Sequence, residues 1–490
     1  MTQYQFVALV LAGIGPLLAI AKYVRAPESL VLFGTGVLAA FIPGLPPVRV
    51  DPNLVLNLFL PPLIYASTVR VSWHLLRFTL LPGVVLGVAL ILATIGAVAV
   101  AARMLFLPGL SWTAALLLGV VAAVFDTRLF HEAEGRPRVP RAVADTLKAR
   151  ELVSRIAILA TFALALEAAR SGQITIMAVL DRYVLDIPAG ILLGVVVGHA
   201  IVWARKRIDP APVEIAVSVA TPYVAALTAH ALDISGVAAI TTAALVVSAV
   251  RIDPHTGAPI SSSETRVSAT AFCEEVSLMV SSVLFFLAGR ALPEALAALQ
   301  TWPFWRLAAS AAGLLAIVLA LYYAVSLIST GLRPIAGALD GRRSGRLRAA
   351  AAGVMAWAST RSVIGLVIGL AIPASLPERD LILVIAALMV VGSVLLQGLT
   401  LRAVVSRADL CEEGEEQREE AAARDAIAEA AASPGREHAN AFDAARQALL
   451  ALRKRDRIGD EVLVRMLRET DLHSRASEKS AMPGAGPPNP

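Results

Sequence analysis

TLLPGVVLGVALILATIGAVAVAA, residues 79–102, runs for 24 residues without a charge. The hydrocarbon core of a bilayer is about 30 Å thick, and a helix needs roughly 20 apolar residues to cross it. Inside lipid the backbone must satisfy its own hydrogen bonds, which a helix does within one segment. This stretch therefore reads as a transmembrane helix. The same test applied outward finds thirteen candidates, at 5–23, 29–46, 53–69, 79–102, 110–127, 151–168, 184–204, 214–232, 235–250, 272–289, 304–330, 349–372 and 380–405. The third is short and carries Pro61 and Pro62. The amino terminus lacks the basic region and cleavage site of a signal peptide, so it reads as the first span.

Charge supports this layout. Of 490 residues, 57% are apolar and 17% charged, where a soluble domain carries about a quarter. The shortfall lies before Asp409: from there on, 82 residues hold 17 acids and 12 bases, an ordinary soluble density. With the amino terminus outside, the cytoplasmic loops hold twenty Lys and Arg and the opposite loops seven, as the positive-inside rule requires. The reading is an all-α polytopic membrane protein of about thirteen spans with a helical cytoplasmic tail. Its expected divisions are a transmembrane domain at 1–408, a cytoplasmic helical tail at 409–475 and a disordered end at 476–490. Within the tail, 412–431 reads as a solvated helix and 440–472 as a helical hairpin.

Several function classes fall away. No basic patch with interleaved aromatics points to nucleic acid. The two cysteines, Cys273 and Cys411, fit neither a disulfide framework nor a metal site. No nucleophile–base set or phosphate loop suggests an enzyme, and nothing calls for a cofactor.

Ionisable groups inside spans cost about 2.5–3.5 kcal/mol each on insertion scales, so each is a functional candidate. Asp126, followed by Thr127, closes the fifth span; it is a proton- or cation-carrying carboxylate or an interfacial partner of Arg128. Glu151, Ser154 and Arg155 open the sixth, and the first and last stand in the order that favours an intrahelical ion pair. Arg361 stands in mid-span and stays charged, so it must meet a carboxylate, carbonyls or water; Glu151 and Asp126 are its candidate partners. Glu274 and Glu275 start the tenth span and read as interfacial.

In order, the stretches DPNLVLNLFLPPLIYAS, AALLLGVVAAVFD, ISGVAAITTAALVVS, EEVSLMVSSVLFFLAGR and WASTRSVIGLVIGL resemble the sodium/proton exchanger branch of the monovalent cation:proton antiporter superfamily. The closing stretch LILVIAALMVVGSVLLQGLT and the tail stretch ARQALLALRKRDRIGDEVLVRMLRETDL resemble bacterial members too. The resemblance implies a homodimer with a dimerisation part and a mobile core. It also implies inverted repeats whose interrupted helices cross near the ion site. The family's Thr-Asp-Pro motif falls on Phe125-Asp126-Thr127, and its Gly-Leu-Arg-Gly motif on Ser359-Thr360-Arg361-Ser362. Arg333 matches a family arginine at the end of the preceding span. The Glu-Ser-Leu-Leu-Asn-Asp motif falls on Arg150-Glu151-Leu152-Val153-Ser154-Arg155, so the carrier Asp has become Arg155.

The resemblance thus implies a secondary transporter exchanging Na⁺ or K⁺ for protons in a bacterial inner membrane, with a divergent ion site. Its partners are the lipid bilayer, protons and monovalent cations. Arg155 either replaces the bound ion as an intrinsic counter-charge or locks the site. In the second case the chain is a non-transporting sensor or scaffold whose tail binds a cytoplasmic partner. A carrier for an organic or anionic substrate is a third reading.

Overall fold

A computed structural model of the chain describes residues 3–24, 28–43, 55–69, 73–127, 141–171, 177, 181–207, 211–249, 263–330, 344–373, 375–408, 410, 415–432, 438–455 and 457–481. The chain is an all-α polytopic membrane protein. Among the described residues seven helices are long and apolar enough to cross a bilayer, and four shorter apolar ones stand beside them. Large apolar side chains such as Leu192, Val196, Trp305 and Leu399 are exposed on helix surfaces. Patches of that size are tolerated where lipid covers them.

The helices are α1 (Gln3–Val24), α2 (Glu28–Ala39), α3 (Leu60–Thr68), α4 (Trp73–Ala101), α5 (Trp112–Ala123), α6 (Arg141–Ser171), α7 (Ile187–Arg205), α8 (Ala211–Ala231), α9 (Gly236–Ala249), α10 (Ser263–Ala298), α11 (Phe304–Ser329), α12 (Ser344–Trp357), α13 (Val363–Leu370), α14 (Arg379–Ser393) and α15 (Leu399–Ala408). A π-helical segment, Val55–Phe59, leads into α3, which places Pro61 and Pro62 in its first turn. There the missing amide donors are not needed, so the prolines start the helix and do not break it.

Two of the expected spans are not continuous helices. The fifth stops at Ala123, and the chain runs extended through β1 (Phe125–Asp126). The twelfth is cut into α12 and α13 by a second extended pair, β2 (Thr360–Arg361). The two breaks meet as an antiparallel pair with Phe125 opposite Arg361 and Asp126 opposite Thr360. Arg361 therefore sits on extended backbone, not in mid-helix. Gly365 lets α13 come close to α5 here, because a Cβ would press on the Val121 carbonyl.

The membrane helices pack as two groups. One comprises α4, α5, α6 and α11 to α15; the other comprises α1, α2, α3 and α7 to α10. Between them α10 meets α13 and α14, and α9 meets α6 and α4. Small residues set the closest approaches in the second group, as is usual for helices in lipid. Gly36 of α2 and Gly289 of α10 face each other's helices so closely that a Cβ on either would strike a backbone carbonyl, that of Phe286 or Phe33.

The tail is a bundle of three helices, α16 (Glu415–Ala432), α17 (His438–Lys454) and α18 (Asp460–Ala481). Its core contains Ala423, Leu449, Ile458, Val462, Leu463, Met466 and Leu467. The first helix was expected to be solvated, yet fully buried Ala423 packs it onto the other two. Arg446 bridges α17 and α18, donating to Asp471 at 2.8 Å and also holding Asp443. The backbone amide of Gly459 donates to Glu419 at 2.6 Å. Helix α18 continues to Ala481, past the boundary expected at 475, and 482–490 lie outside the described residues.

Candidate functional site

The site is built where the two broken helices cross. Ser111 caps α5, its hydroxyl accepting from the Ala114 amide at 3.2 Å. Ser362 caps α13 in the same way, accepting from Ile364 at 3.2 Å. Between the breaks, the Ser362 amide donates to the Val124 carbonyl at 3.2 Å and the Thr360 hydroxyl to the Asp126 carbonyl at 2.9 Å. Unwound backbone at membrane depth survives only where something else satisfies it. Here Ser393 and Gln397 supply that from the end of α14 and the turn after it. The Arg361 amide donates to Ser393 Oγ at 2.8 Å, and Gln397 Nε2 donates to the Trp357 carbonyl at 2.9 Å.

Arg361 is 3% exposed and is held by the crossing itself. Its Nη1 donates to the Ala122 carbonyl at 2.9 Å and its Nη2 to the Ser359 carbonyl at 2.8 Å. Its guanidinium carbon lies 4.6 Å from the centroid of the Tyr322 ring. Of the partners that the sequence leaves open to it, a carboxylate, carbonyls or water, the contacts here are carbonyls. The ends of a broken helix leave carbonyls that need donors, and a guanidinium supplies several.

Arg150 is 2% exposed. Its Nη1 donates to Ser326 Oγ at 2.9 Å, and its Nη2 to Ser359 Oγ at 2.7 Å and the Met355 carbonyl at 3.2 Å. Its guanidinium lies 5.5 Å from the centroids of both Phe125 and Tyr322. Tyr322 donates its hydroxyl to the Ala123 carbonyl at 3.1 Å and meets Phe125 edge to face. Two guanidinium cations thus share one aromatic ring.

The second half of the site is a chain of polar contacts. Thr127 donates to Glu151 at 2.5 Å, Arg155 pairs with that same carboxylate, and Arg155 also donates to Ser67. Arg155 is 7% exposed. This chain joins the break after α5 to α6 and then to Ser67 on α3, which belongs to the other helix group. Ser154 is fully buried, and among the described residues its Oγ has no hydrogen-bond partner. Asp126 is half-buried on the extended segment, beside Thr127.

The structure therefore brings Thr127, Glu151 and Arg155 together and sets Asp126 and Arg361 on the paired breaks. Arg333 and Arg128 lie outside the described residues, as does the side chain of Glu274; Glu275 is exposed. Reading the sequence did not find Tyr322, Ser326, Ser393, Gln397 or Ser67, because an isolated hydroxyl, ring or amide in an apolar span carries no pattern. By charge, the cluster sets Arg150, Arg155 and Arg361 against Asp126 and Glu151.

Comparison with known proteins covers this whole region. The family described as "Sodium/hydrogen exchanger, transmembrane" matches residues 7–407, which leaves the tail bundle outside the match. An uncharacterized Na⁺/H⁺ exchanger of Mycobacterium tuberculosis is 29% identical over 417 residues, covering 83% of this chain and 74% of that protein. A Na⁺/H⁺ antiporter of Aphanothece halophytica is 25% identical, covering 83% of this chain and 75% of its own. Among solved structures, the sodium proton antiporter of Methanocaldococcus jannaschii at pH 8 matches with a TM-score of 0.62 at 15% identity, over 83% of this chain and 98% of that one. At that identity the likeness concerns the fold.

Proposed function

This chain belongs to the sodium/hydrogen exchanger family, and from that premise we propose that it exchanges a monovalent cation, Na⁺ or K⁺, for protons. It does so across a bacterial cytoplasmic membrane, as a homodimer, with its amino terminus outside and its tail in the cytoplasm. Asp126 is the titrating carboxylate. Protonated, it is neutral; ionised, it holds a cation, so the two ligands compete for one group.

The observation that carries this reading is the pairing of Arg155 with Glu151. A permanent cation at the carrier position would disable exchange if it neutralised Asp126. In this arrangement a carboxylate one turn away on the same helix neutralises it. Arg155 then acts as an intrinsic counter-charge to Glu151, and Ser67 holds its far side. Ser67 lies across the boundary between the two helix groups, so their relative movement makes and breaks that bond.

Proton flux in inverted vesicles, measured with and without Na⁺, K⁺ or Li⁺, tests the assignment. Asp126→Asn abolishes the ion-dependent flux; an unchanged flux would sink it. The second reading, a non-transporting sensor or scaffold, is favoured by the excess of buried arginines over carboxylates. It requires that the wild-type chain show no ion-dependent flux at all.

A further inference from the structure

Two buried cations at the helix crossing meet no carboxylate among the described residues. The partners of Arg150 and Arg361 are hydroxyls, carbonyls and the Tyr322 ring, all of them uncharged. Glu151, next in sequence to Arg150, is engaged by Arg155 and Thr127. The two guanidiniums are also neighbours. Arg150 Nη2 donates to the Ser359 hydroxyl, and Arg361 Nη2 to the Ser359 carbonyl. A charge taken out of water is normally met by an opposite one, because dipoles alone recover only part of its lost hydration.

The same place holds donors without acceptors. The Nε atoms of both arginines are buried and, among the described residues, bond to nothing. Ser154 stands four residues beyond Arg150 on α6, which puts it on the same helix face. Its buried hydroxyl is likewise without a partner among the described residues. Charged and hydroxyl donors that lack an acceptor are the complement of an anion. By charge, ionised Asp126 and Glu151 leave one of Arg150, Arg155 and Arg361 unbalanced, so one monovalent anion closes the count.

We propose that a small inorganic monovalent anion of the chloride class binds at the helix crossing, held by Arg150 and Arg361 with the Ser154 hydroxyl as a further donor. The anion is a resident counter-ion and not cargo. It compensates the like charges that the crossing brings together, and so stabilises the pairing of β1 with β2. A large or divalent anion suits the place less well. The rings of Phe125 and Tyr322 lie against the Arg150 guanidinium, and a second negative charge would exceed the surplus. The site asks nothing of the transport reading, so the two stand or fall separately.

The test unfolds the purified full-length chain by heat in detergent, in sodium chloride and in sodium gluconate of equal concentration. Equilibrium dialysis with radioactive chloride measures binding directly. Wild type is expected to bind one chloride per chain and to unfold about 3 °C or more higher in chloride, the order expected for a ligand at roughly 100 times its dissociation constant. Arg150→Glu puts a carboxylate beside Arg361 in the anion's place, so it should bind no chloride there and unfold alike in the two salts. Ser154→Ala keeps both arginines and removes one donor. The chloride concentration giving half the shift should then rise about fivefold, as the loss of one hydrogen bond implies. Equal midpoints for wild type in the two salts, or no bound chloride, overturns the proposal. So does a chloride shift that survives Arg150→Glu unchanged, because the ion then sits elsewhere. If Arg150→Glu does not fold, Ser154→Ala decides, and an unmoved half-maximal concentration overturns the proposal.

Discussion

The Arg361 guanidinium lies over the face of Tyr322, 4.6 Å from the ring centroid, and Arg150 reaches the same ring at 5.5 Å. Like charges repel, so a shared ring at membrane depth must repay that repulsion. The negative face of an aromatic ring attracts a cation by about 2 kcal/mol or more once both are desolvated. The nearby hydroxyls and carbonyls of Ser326, Ser359, Met355 and Ala122 supply the remaining acceptors.

Tyr322→Leu should therefore cost more than a lost contact. It removes the ring from two buried cations, with an expected loss on the order of 2–4 kcal/mol, the range for truncating a buried aromatic. Tyr322→Phe keeps the ring and loses only the bond to the Ala123 carbonyl, about 1 kcal/mol. Thermal unfolding in detergent should rank wild type above Tyr322→Phe and both well above Tyr322→Leu. Equal losses in the two variants would show that the hydroxyl, not the ring, is what matters.

The pair formed by Glu151 and Arg155 gives a second prediction. Removing one partner of a buried ion pair leaves an uncompensated charge and typically costs about 3–5 kcal/mol. Glu151→Gln should destabilise the protein by that amount, and Glu151→Gln/Arg155→Gln should recover much of it. The comparison is a double-mutant cycle read by unfolding in detergent. Additive losses would mean that the two side chains do not depend on each other.

Much of this arrangement was legible in the sequence. A charge-free run of apolar residues has one stable form in lipid, so residues 79–102 and their neighbours could be placed without coordinates. Glu151 and Arg155 are four apart, and helical spacing puts them in reach. The breaks were harder. Nothing in VVAAVFDT or AWASTRSV contains a proline or glycine, and the two stretches interrupt their helices because they pair with each other. Arg361 and the Ala122 carbonyl lie 239 residues apart in the chain. Local pattern carries no information about such a contact, so the sequence could not choose between a carboxylate, carbonyls and water for Arg361. Gln397 escaped for the same reason: its task is to satisfy backbone that sequence reading had taken as satisfied.

Helix approach in the second group gives a steric prediction. Gly36→Val and Gly289→Val each put side-chain atoms where a neighbouring carbonyl already stands. Backbone cannot yield cheaply, and overpacking of this kind costs about 1–3 kcal/mol or more. Gly13 on α1 has nothing within 4 Å of its Cβ position, so Gly13→Val is the matched control. Yield and monodispersity after detergent extraction should fall for the first two and hold for the third.

The last prediction concerns Arg155 as a counter-charge. On the reading proposed above, Arg155 takes the place of the family's carrier Asp and Ser154 that of its Asn. If the guanidinium serves as a tethered cation, replacing it by a carboxylate empties a place that a free cation can fill. Ser154→Asn/Arg155→Asp puts the residues that the resemblance implies at both positions, and the larger amide gives the buried Ser154 position a group able to reach neighbours. The bond to Ser67 is lost in the same step, which removes one tie between the helix groups. The double variant should therefore transport with a half-saturating Na⁺ concentration lowered by about tenfold, the equivalent of roughly 1.4 kcal/mol in ion binding. Proton flux in inverted vesicles, titrated with Na⁺ against wild type, measures it. An unchanged Na⁺ requirement in a variant that folds and transports would show that Arg155 does not occupy the cation's place.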